Sequence, residues 1–249
     1  PFQNHEVMGF FKKFTEAGSM AMETAGSLRS GKDIWGLAKL ESNFKLSGDD
    51  EVNGYLLLNN SHEVGKAMTM MFTPIRVVCN NTLTLALKQQ GNRFRVLHVQ
   101  MFDEEIIKAA ENALGLLTEA MDEFAEQSAF LSSKRAKEDD LDNFVAELFQ
   151  PKVLIERGKA SSNDNLPALR DEFKRTALTV RDAIETSRGS TLVSAKGTWW
   201  GALNGVTYVT DHLKPSRIHG NSLHSAWFGS GAMQKRRALD KALEYAKAA

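Results

Sequence analysis

The amino-acid sequence predicts an α+β fold, in which a twisted antiparallel sheet is followed by a mostly helical half. Two observations carry this prediction. Through residues 1–102, apolar and polar residues largely alternate, as they do in strands with one buried face. Through residues 103–249, apolar residues recur every three or four positions, as they do along the buried side of a helix. We expect the two parts to pack together as one continuous domain.

The first part begins with a predicted helix over residues 6–17, where several aromatic residues share one side. A hairpin follows in "AMETAGSLRSGKDIWGLAKLES", with its turn at Ser30-Gly31-Lys32. Further strands are predicted in "EVNGYLLLNNS", in "KAMTMMFTPIRVV", where Pro74 acts as a bulge or edge device, and in "RFRVLHVQMF". Between the last two, a short helix over residues 81–90 is expected to cross the sheet.

The second part is predicted to contain five helices, each recognised by its apolar periodicity. They lie in "DEEIIKAAENALGLLTEAMDEFAEQSAFL", "EDDLDNFVAELF", "LPALRDEFKRTALTVRDAIET", "GTWWGALNGVTYVTDHL" and "AMQKRRALDKALEYAKAA". The stretch "HSAWFGSG" is interpreted as a flexible aromatic loop that docks on a neighbouring subunit or on bases. The basic stretches "SSKRAK" and "QKRR" are interpreted as solvated helix faces.

The composition bounds the class of protein. Hydrophobic residues make up 42% of the 249 residues, which is enough apolar material for a sizeable core. No apolar run approaches the roughly 18 residues needed to cross a bilayer, and no signal peptide is recognisable, so we expect a cytoplasmic protein without membrane contact. Since the first residue is not methionine, we expect a preceding segment. Lys and Arg number 31, as do Asp and Glu, so the zero net charge argues against a wholly basic nucleic-acid binder but allows one basic face.

The stretch "MFTPIRVVCNNTLTLA" over residues 71–86 places Arg76 in an apolar run, shortly before the predicted short helix. Asn80 or Asn81 could cap that helix, and Thr82 would lie in its first turn. Arg76 and the amino end of the helix then form a candidate anion or phosphate site. The alternative is structural, because Arg76 could pair with a carboxylate while the asparagines only cap.

Cys79 is the only cysteine, which excludes an internal disulfide and a cysteine-based metal site. As a nucleophile it would need a base and an oxyanion hole, whereas its apolar neighbours favour a buried structural thiol. The histidines are scattered, and no hydrolase elbow, phosphate-binding loop or dinucleotide fingerprint is recognisable. We therefore expect no enzyme activity, no metal and no cofactor.

Trp199 and Trp200 are adjacent, so on a helix they point about 100° apart. We expect one of them in the core and the other at an interface. Asn204 lies on nearly the same side of the helix as Trp200. Because a buried asparagine needs hydrogen-bond partners, we expect Asn204 to brace the turn around Asn80 and Asn81.

Two stretches resemble the signature sequences of a phage- and plasmid-borne family, a domain of unknown function whose members are often labelled phage/plasmid-like protein. The first signature stretch is "TPIRVVCNNTLTLAL" (residues 73–87), and the second is "GTWWGALNGVTYVTDH" (residues 197–212). "VNGYLLLNNSHEVGKAM" and "TAGSLRSGKDIWGLAKL" are also similar, so the resemblance covers residues 20–215. It implies mobile DNA as the genetic setting and the cytoplasm of a bacterial host, but no activity.

The resemblance also implies a genetic neighbourhood of recombination genes. At the level of fold, a twisted sheet crossed by a helix is similar to single-strand annealing proteins, which hold DNA in the basic groove of a ring or filament. We therefore expect the chain to bind single-stranded DNA and to promote annealing or recombination as a homo-oligomer. Phosphate contacts are predicted at Arg29, Lys32, Arg76, Lys88, Arg93 and Arg95, and Trp35 is predicted to stack on a base.

Two other classes of function stay open. A protein-interaction module of a mobile element, such as a defence inhibitor or a replication accessory, would not bind DNA, and mutation of Arg76 would then affect stability alone. A hydrolase that uses Cys79 and a histidine would lose its activity when Cys79 is replaced by serine, whereas a structural thiol would lose only modest stability.

Overall fold

The computed structural model describes residues 4–63, 68–86, 88–89, 92–93, 95–96, 103–151, 166–213 and 222–249. A curled antiparallel sheet occupies the first part of the chain, and the second part is mostly helical, so the predicted α+β fold is confirmed. The division into residues 1–102 and 103–249 follows this change, and that both parts form one domain stays a prediction.

Helix α1 (Asn4–Ala17) precedes the sheet and buries Val7, Phe11 and Phe14, so the helix predicted over residues 6–17 is confirmed. Four long strands then form an antiparallel meander: β1 (Ala21–Leu28), β2 (Asp33–Leu46), β3 (Asp50–Ser61) and β4 (Met68–Phe72). The predicted hairpin turn lies between β1 and β2, where Arg29, Ser30 and Gly31 all have positive φ angles.

The remaining strands are two residues long and extend this sheet or stand beside it. They are β5 (Ile75–Arg76), β6 (Asn81–Thr82), β7 (Leu85–Ala86), β8 (Lys88–Gln89), β9 (Asn92–Arg93) and β10 (Arg95–Val96). β5 pairs with β3 and β6, while β7 and β10 both pair with β4. β8 and β9 form a separate two-stranded sheet. Pro74 lies between β4 and β5, where β3 changes its partner strand, as expected of a proline at an interruption.

The short helix predicted over residues 81–90 is wrong, because the described residues of that segment form β6, β7 and β8. The sequence "NTLTLA" alternates threonine with leucine, and this period of two suits a strand. Asn92, just after this segment, begins β9. Of the fifth predicted strand, "RFRVLHVQMF", the structure confirms β10, and residues 97–102 lie outside the described part.

The helical half agrees with the predicted helices. It contains α2 (Asp103–Ser133), α3 (Glu138–Phe149), α4 (Leu166–Thr186), α5 (Trp199–Tyr208), α6 (Ser222–Phe228) and α7 (Ser230–Ala248). Helix α5 continues into one π-helical segment, Val209–Leu213. The predicted flexible loop "HSAWFGSG" is wrong, since most of it is helical in α6 and Trp227 is buried. None of the helices in the described ranges combines the length and hydropathy needed to cross a bilayer.

The two faces of the sheet are covered by different elements. One face contributes residues such as Ala38, Leu56 and Phe72 to the main core, which they share with α1, α2 and α5. The other face contributes Trp35 and Leu57 to a second cluster, which is covered by α6 through Ala226 and Trp227. The carboxyl-terminal part of the chain therefore completes the burial of a sheet formed by the first part.

Helix α5 is the centre of the helical half, because every residue from Trp199 to Thr207 is buried. Glycine permits its close contact with α4. A Cβ atom at Gly205 would lie 2.4 Å from Cγ1 of Ile184 and 2.9 Å from the Cα and N atoms of that residue. Real Cβ contacts are longer, so a side chain here would push the two helices apart.

Replacing Gly205 by alanine is expected to destabilise the fold by about 1–3 kcal/mol, because overpacking outweighs the gain in helix propensity. Gly115→Ala is the matched control. It lies inside α2, and its added Cβ would meet nothing within 4 Å. There the same change should be neutral or stabilise by about 0.5–1 kcal/mol. Denaturant unfolding measures both, and equal effects of the two substitutions would contradict the close packing of α4 and α5.

Candidate functional site

Arg76, the residue that the sequence singled out, forms a buried ion pair with Asp50. Its Nε donates to Oδ1 of Asp50 at 2.7 Å and its Nη2 donates to Oδ2 at 2.8 Å. Nη2 also donates to the carbonyl oxygen of Gly189 at 2.9 Å. Arg76 is 2% exposed and Asp50 is fully buried. The predicted anion site at a helix amino end is therefore wrong, and the structural alternative, a carboxylate partner for Arg76, is confirmed.

Asp50 connects this pair to the helical half of the chain. Besides Arg76, its Oδ2 accepts hydrogen bonds from Oγ of Ser194 at 2.6 Å and from Nε1 of Trp200 at 2.9 Å. Arg76 also lies over the Trp200 ring, 5.8 Å from its centroid. A buried carboxylate is stable only when its charge and its lone pairs are satisfied, and these contacts meet that condition.

The strand register brings the two charges together. Asp50 is the first residue of β3. Arg76, in the neighbouring strand β5, pairs with Val52, which lies two residues after Asp50 in β3. The turn before α5 contacts the Arg76 side chain at Gly189, whose φ of 79° lies in the left-handed region. An added Cβ there would lie 2.6 Å from Val78 and 3.0 Å from Nη2 of Arg76, so only glycine fits.

Asn81 joins β6 to α5, as the sequence predicted for the turn that contains it. Its Nδ2 donates to the carbonyl oxygen of Asn204 at 3.0 Å and to Oγ1 of Thr207 at 2.9 Å. Nδ2 of Asn204 donates in turn to the carbonyl oxygen of Trp200. Asn80, by contrast, is exposed, with a positive φ of 54°. The bracing contact therefore runs through Asn81 alone.

Both tryptophans of the second signature stretch are buried, so the expectation that one of them reaches an interface is wrong. Trp199 is 0% exposed and stacks on Tyr245 of α7, with ring centroids 5.1 Å apart. Trp200 is 2% exposed and points to Asp50. Both sides of α5 are covered by other elements, which the local sequence does not reveal.

A second buried ion pair joins Lys235 of α7 to Asp211 of the π-helical segment. Nζ of Lys235 donates to Oδ1 of Asp211 at 2.5 Å and to Oγ1 of Thr82 at 2.8 Å. Oδ2 of Asp211 accepts from the backbone N–H of Thr82 at 2.7 Å. Burial lowers the pKa of Lys235, and the charge of Asp211 opposes this shift. The interpretation of "QKRR" as a solvated face is thus wrong for Lys235.

The hydrogen-bonded groups around Asp50, Arg76, Asn81 and Trp200 form a buried network, and a cavity of about 20 Å³ lies inside it. Its lining includes Arg76, Asn81, Trp200 and Asn204. Nη1 of Arg76 is buried and has no hydrogen-bond partner in the described part of the chain. The volume suits about one water molecule, and that water could accept from Nη1. A cavity of this size admits no substrate, so the network is suited to holding the fold.

Cys79 is a buried thiol between the two strands of the Arg76 turn, with 3% of its surface exposed. Burial raises its pKa, and the nearby charge of Arg76 only partly opposes that. A nucleophilic cysteine needs the reverse, an exposed sulfur with a lowered pKa. In the described residues, no group of three or more His, Cys, Asp or Glu side chains could hold a metal ion.

Besides Arg76, two further predicted DNA contacts are engaged within the protein. Arg29 forms an ion pair with Asp33, and its Nη1 lies 2.5 Å from Oε1 of Glu63. These two hydrogen bonds raise the pKa of Arg29. Trp35 is 9% exposed and packs edge to face against Trp227, with ring centroids 4.9 Å apart. The predictions of a phosphate contact at Arg29 and of base stacking at Trp35 are therefore wrong.

The other predicted contacts lie at the periphery. Lys32 is exposed at the β1–β2 turn. Lys88 of β8 and Arg93 of β9 are register partners, and Arg95 of β10 pairs with Thr69 at the edge of the main sheet. For the last three basic residues the structure describes the strand positions, and their phosphate contacts stay predictions.

Comparison with known proteins places this geometry in a family. The family described as Domain of unknown function (DUF932) matches residues 1–227. The chain belongs to the DUF932 family. This family match extends beyond residues 20–215, the part of the sequence that resembles the family. No curated protein and no solved structure matches the chain.

The two stretches that resemble signature sequences of the family meet in the buried network. Arg76, Asn81 and Thr82 come from the first stretch, and Trp200, Asn204 and Asp211 come from the second. The sequence did not identify Asp50, Ser194 and Lys235 as members of this network. The one local signal for Asp50 is its place after Gly48 and Asp49, two residues with positive φ that end a hairpin turn.

Replacing Arg76 by methionine is expected to destabilise the fold by about 3–5 kcal/mol, because the charge of Asp50 then stays buried without a cation. Lys45→Met is the matched control, since Lys45 pairs with Glu51 at 3.6 Å while its side chain is 56% exposed. That change should cost less than about 1 kcal/mol. Denaturant unfolding measures both, and similar small losses would contradict the structural role of Arg76.

Cys79 is expected to react with a thiol reagent at least about a hundredfold more slowly in the folded protein than in denaturant, because its sulfur is buried and its thiolate is disfavoured. Absorbance of the released chromophore gives both rates. Fast labelling of the folded chain would show an exposed, activated thiol and would reopen the hydrolase hypothesis.

Proposed function

We propose that this DUF932 protein binds single-stranded DNA and promotes the annealing or recombination of strands for a phage, a plasmid or an integrative element. No bond is made or broken by the protein in this function. Annealing requires that a strand be held extended, with its phosphates neutralised and its bases accessible.

The observation that carries the proposal is the register of the small β8–β9 sheet. Lys88 and Arg93 are directly opposed, and like charges in opposed positions weaken strand pairing unless a counter-charge is present. Arg95 follows two residues later, in the strand at the edge of the main sheet. A phosphate backbone that passes along this segment would supply such a negative charge.

Contacts within the protein reduce the set of residues that we propose to bind DNA. Three predicted contacts are excluded from this set, because their side chains bind protein groups instead: Arg76, Arg29 and Trp35. Lys32, Lys88, Arg93 and Arg95 remain as the proposed phosphate contacts. The zero net charge is compatible with this surface, because a chain with no net charge can still carry one basic face.

Self-assembly into a ring or filament is part of the proposal. Strand β1 has β2 as its neighbour and no second partner strand among the described residues. Its residues are exposed or half-buried along its whole length. An edge strand of this kind presents free backbone donors and acceptors to another chain.

A protein-interaction module is the second candidate, because an apolar group is exposed beside the buried network. Val77 is 47% exposed, Val78 is 37% exposed and Val193 is 74% exposed. Val78 lies against Gly189, and Val193 lies against Gly48 next to Asp50. Exposed valines on the turns that hold the network favour a protein partner on that side.

The double substitution Lys88→Glu/Arg93→Glu is expected to weaken binding of a labelled 30-nucleotide single strand by at least about tenfold at low salt. Fluorescence anisotropy, at low and moderate salt and with a duplex of equal length, measures this. Arg170→Glu/Lys174→Glu is the matched control, because both residues are exposed on α4, far along the chain from the β8–β9 segment. It should bind like the unmodified protein.

Two results would contradict the proposal. One is the absence of single-strand binding by the folded protein at low salt. The other is an equal loss of binding in the β8–β9 variant and in the α4 variant, which would indicate a nonspecific effect of the changed net charge. Either result would favour the protein-interaction module, whose partner would be sought with Val78→Glu as the disrupting variant.

A further inference from the structure

An open cleft of about 560 Å³ lies between the first turn of α1 and the β1–β2 turn. It is lined by Asn4, His5, Ser30, Gly31, Lys32 and His62. Every lining side chain can donate a hydrogen bond, and Gly31 adds only backbone. None of these six residues carries a carboxylate. The volume falls within the range of roughly 300–1,000 Å³ that is typical of small-ligand sites.

The walls of the cleft are held in place by contacts behind it. The backbone N–H of His62 donates to the carbonyl oxygen of Lys32 at 2.8 Å, which joins the end of β3 to the turn. The ring of His62 is hydrogen-bonded through Nε2 to Oδ1 of Asn4, which joins the same residue to α1. The cleft is therefore formed before any ligand arrives.

The charges around the cleft are distributed unequally. Arg29 lies on the turn but is neutralised by Asp33 and Glu63. Lys32, by contrast, has no ion pair among the described residues, and it is exposed. Asp33 and Glu63 are thus paired with Arg29, whereas the cleft itself offers one permanent cation and two imidazoles.

We propose that this cleft binds a phosphate group, carried by a phosphomonoester. A phosphate accepts several hydrogen bonds at once and gains most from a charged donor, which Lys32 supplies beside the imidazoles of His5 and His62 and the hydroxyl of Ser30. The monoester belongs either to the end of a nucleic-acid strand or to a free nucleotide. The inference does not depend on DNA binding by the β8–β9 segment.

Isothermal titration with inorganic phosphate in a chloride buffer tests the cleft itself. The folded chain should bind phosphate, and Lys32→Gln should weaken binding about tenfold, the usual effect of losing one charge-assisted hydrogen bond. His62→Gln should also weaken binding, because it removes an imidazole from the cleft and the ring contact that holds Asn4 in place. Lys45→Gln is the matched control, because it removes an exposed lysine of β2 that pairs with Glu51, and it should leave binding unchanged.

A second titration separates the two sources of the phosphate. A 5′-phosphate on a 30-nucleotide strand that strengthens binding to the unmodified chain, but not to Lys32→Gln, assigns the site to strand ends. Binding of adenosine monophosphate with no effect of the 5′-phosphate on strand binding assigns it to free nucleotides. Both results support the cleft.

The inference is overturned by the absence of phosphate binding at millimolar concentrations, or by binding that Lys32→Gln and His62→Gln leave unchanged. Its failure is distinguishable from failure of the proposed function. The Lys88→Glu/Arg93→Glu variant tests DNA binding by the β8–β9 segment, whereas the phosphate titration of the cleft does not involve these two residues. Circular dichroism of each variant confirms that the exposed substitutions leave the fold intact.

Discussion

The ion pair between Arg76 and Asp50 is the constraint on which the rest of the structure depends. Asp50 is fully buried and accepts hydrogen bonds from three side chains, those of Arg76, Ser194 and Trp200. These contacts join the β3–β5 pairing to the turn before α5 and to α5 itself. Because a buried charge without its partners is very costly, the sheet and the helical half have one relative arrangement in which all of these groups are satisfied. The pair therefore specifies the packing more than it adds net stability.

The buried ion pair of Lys235 and Asp211 fixes the position of the last helix, α7, in the same way. Thr82 lies between them and receives contacts from both, so β6, the π-helical segment and α7 meet at one point. A π-helical turn displaces side chains from the ordinary α-helical positions, which accounts for Asp211 facing the sheet directly after α5. In this chain, the two stretches that resemble the family's signature sequences therefore serve packing. The two proposed ligand sites lie instead at the periphery, at the cleft beside α1 and at the β8–β9 segment.

Local patterns in the sequence predicted most of the secondary structure. The apolar periods of two and of three to four residues identified α1, the long strands and the helices of the second half, because these periods follow from the geometry of each element. The segment after Cys79 was misassigned as a helix. Its asparagines resemble helix caps, but Asn81 is instead bonded to Asn204 and Thr207, more than a hundred residues later. Tertiary contacts of this kind override local propensity.

The site residues were harder to predict for the same reason. Nothing near Arg76 in the sequence indicates that its carboxylate partner lies 26 residues earlier, and nothing near Trp35 indicates that Trp227 covers it. A basic residue or an aromatic in a strand has the same local pattern whether it faces solvent or a distant helix. Lys32 was identified correctly as exposed because glycine and serine beside it mark a turn, and turns lie at the surface. The acidic partners of Arg29 then leave Lys32 as the free cation of that turn.

The measurement that tests this account most directly is a double-mutant cycle on the central pair, with Arg76→Met, Asp50→Asn and their combination. Denaturant unfolding of the four proteins gives the coupling energy. We predict that the double substitution costs less than the sum of the single ones by about 2 kcal/mol or more, because each single change leaves the other partner unsatisfied inside the protein. Additive losses, within about 0.5 kcal/mol, would show that the two charges are independent and would contradict the account.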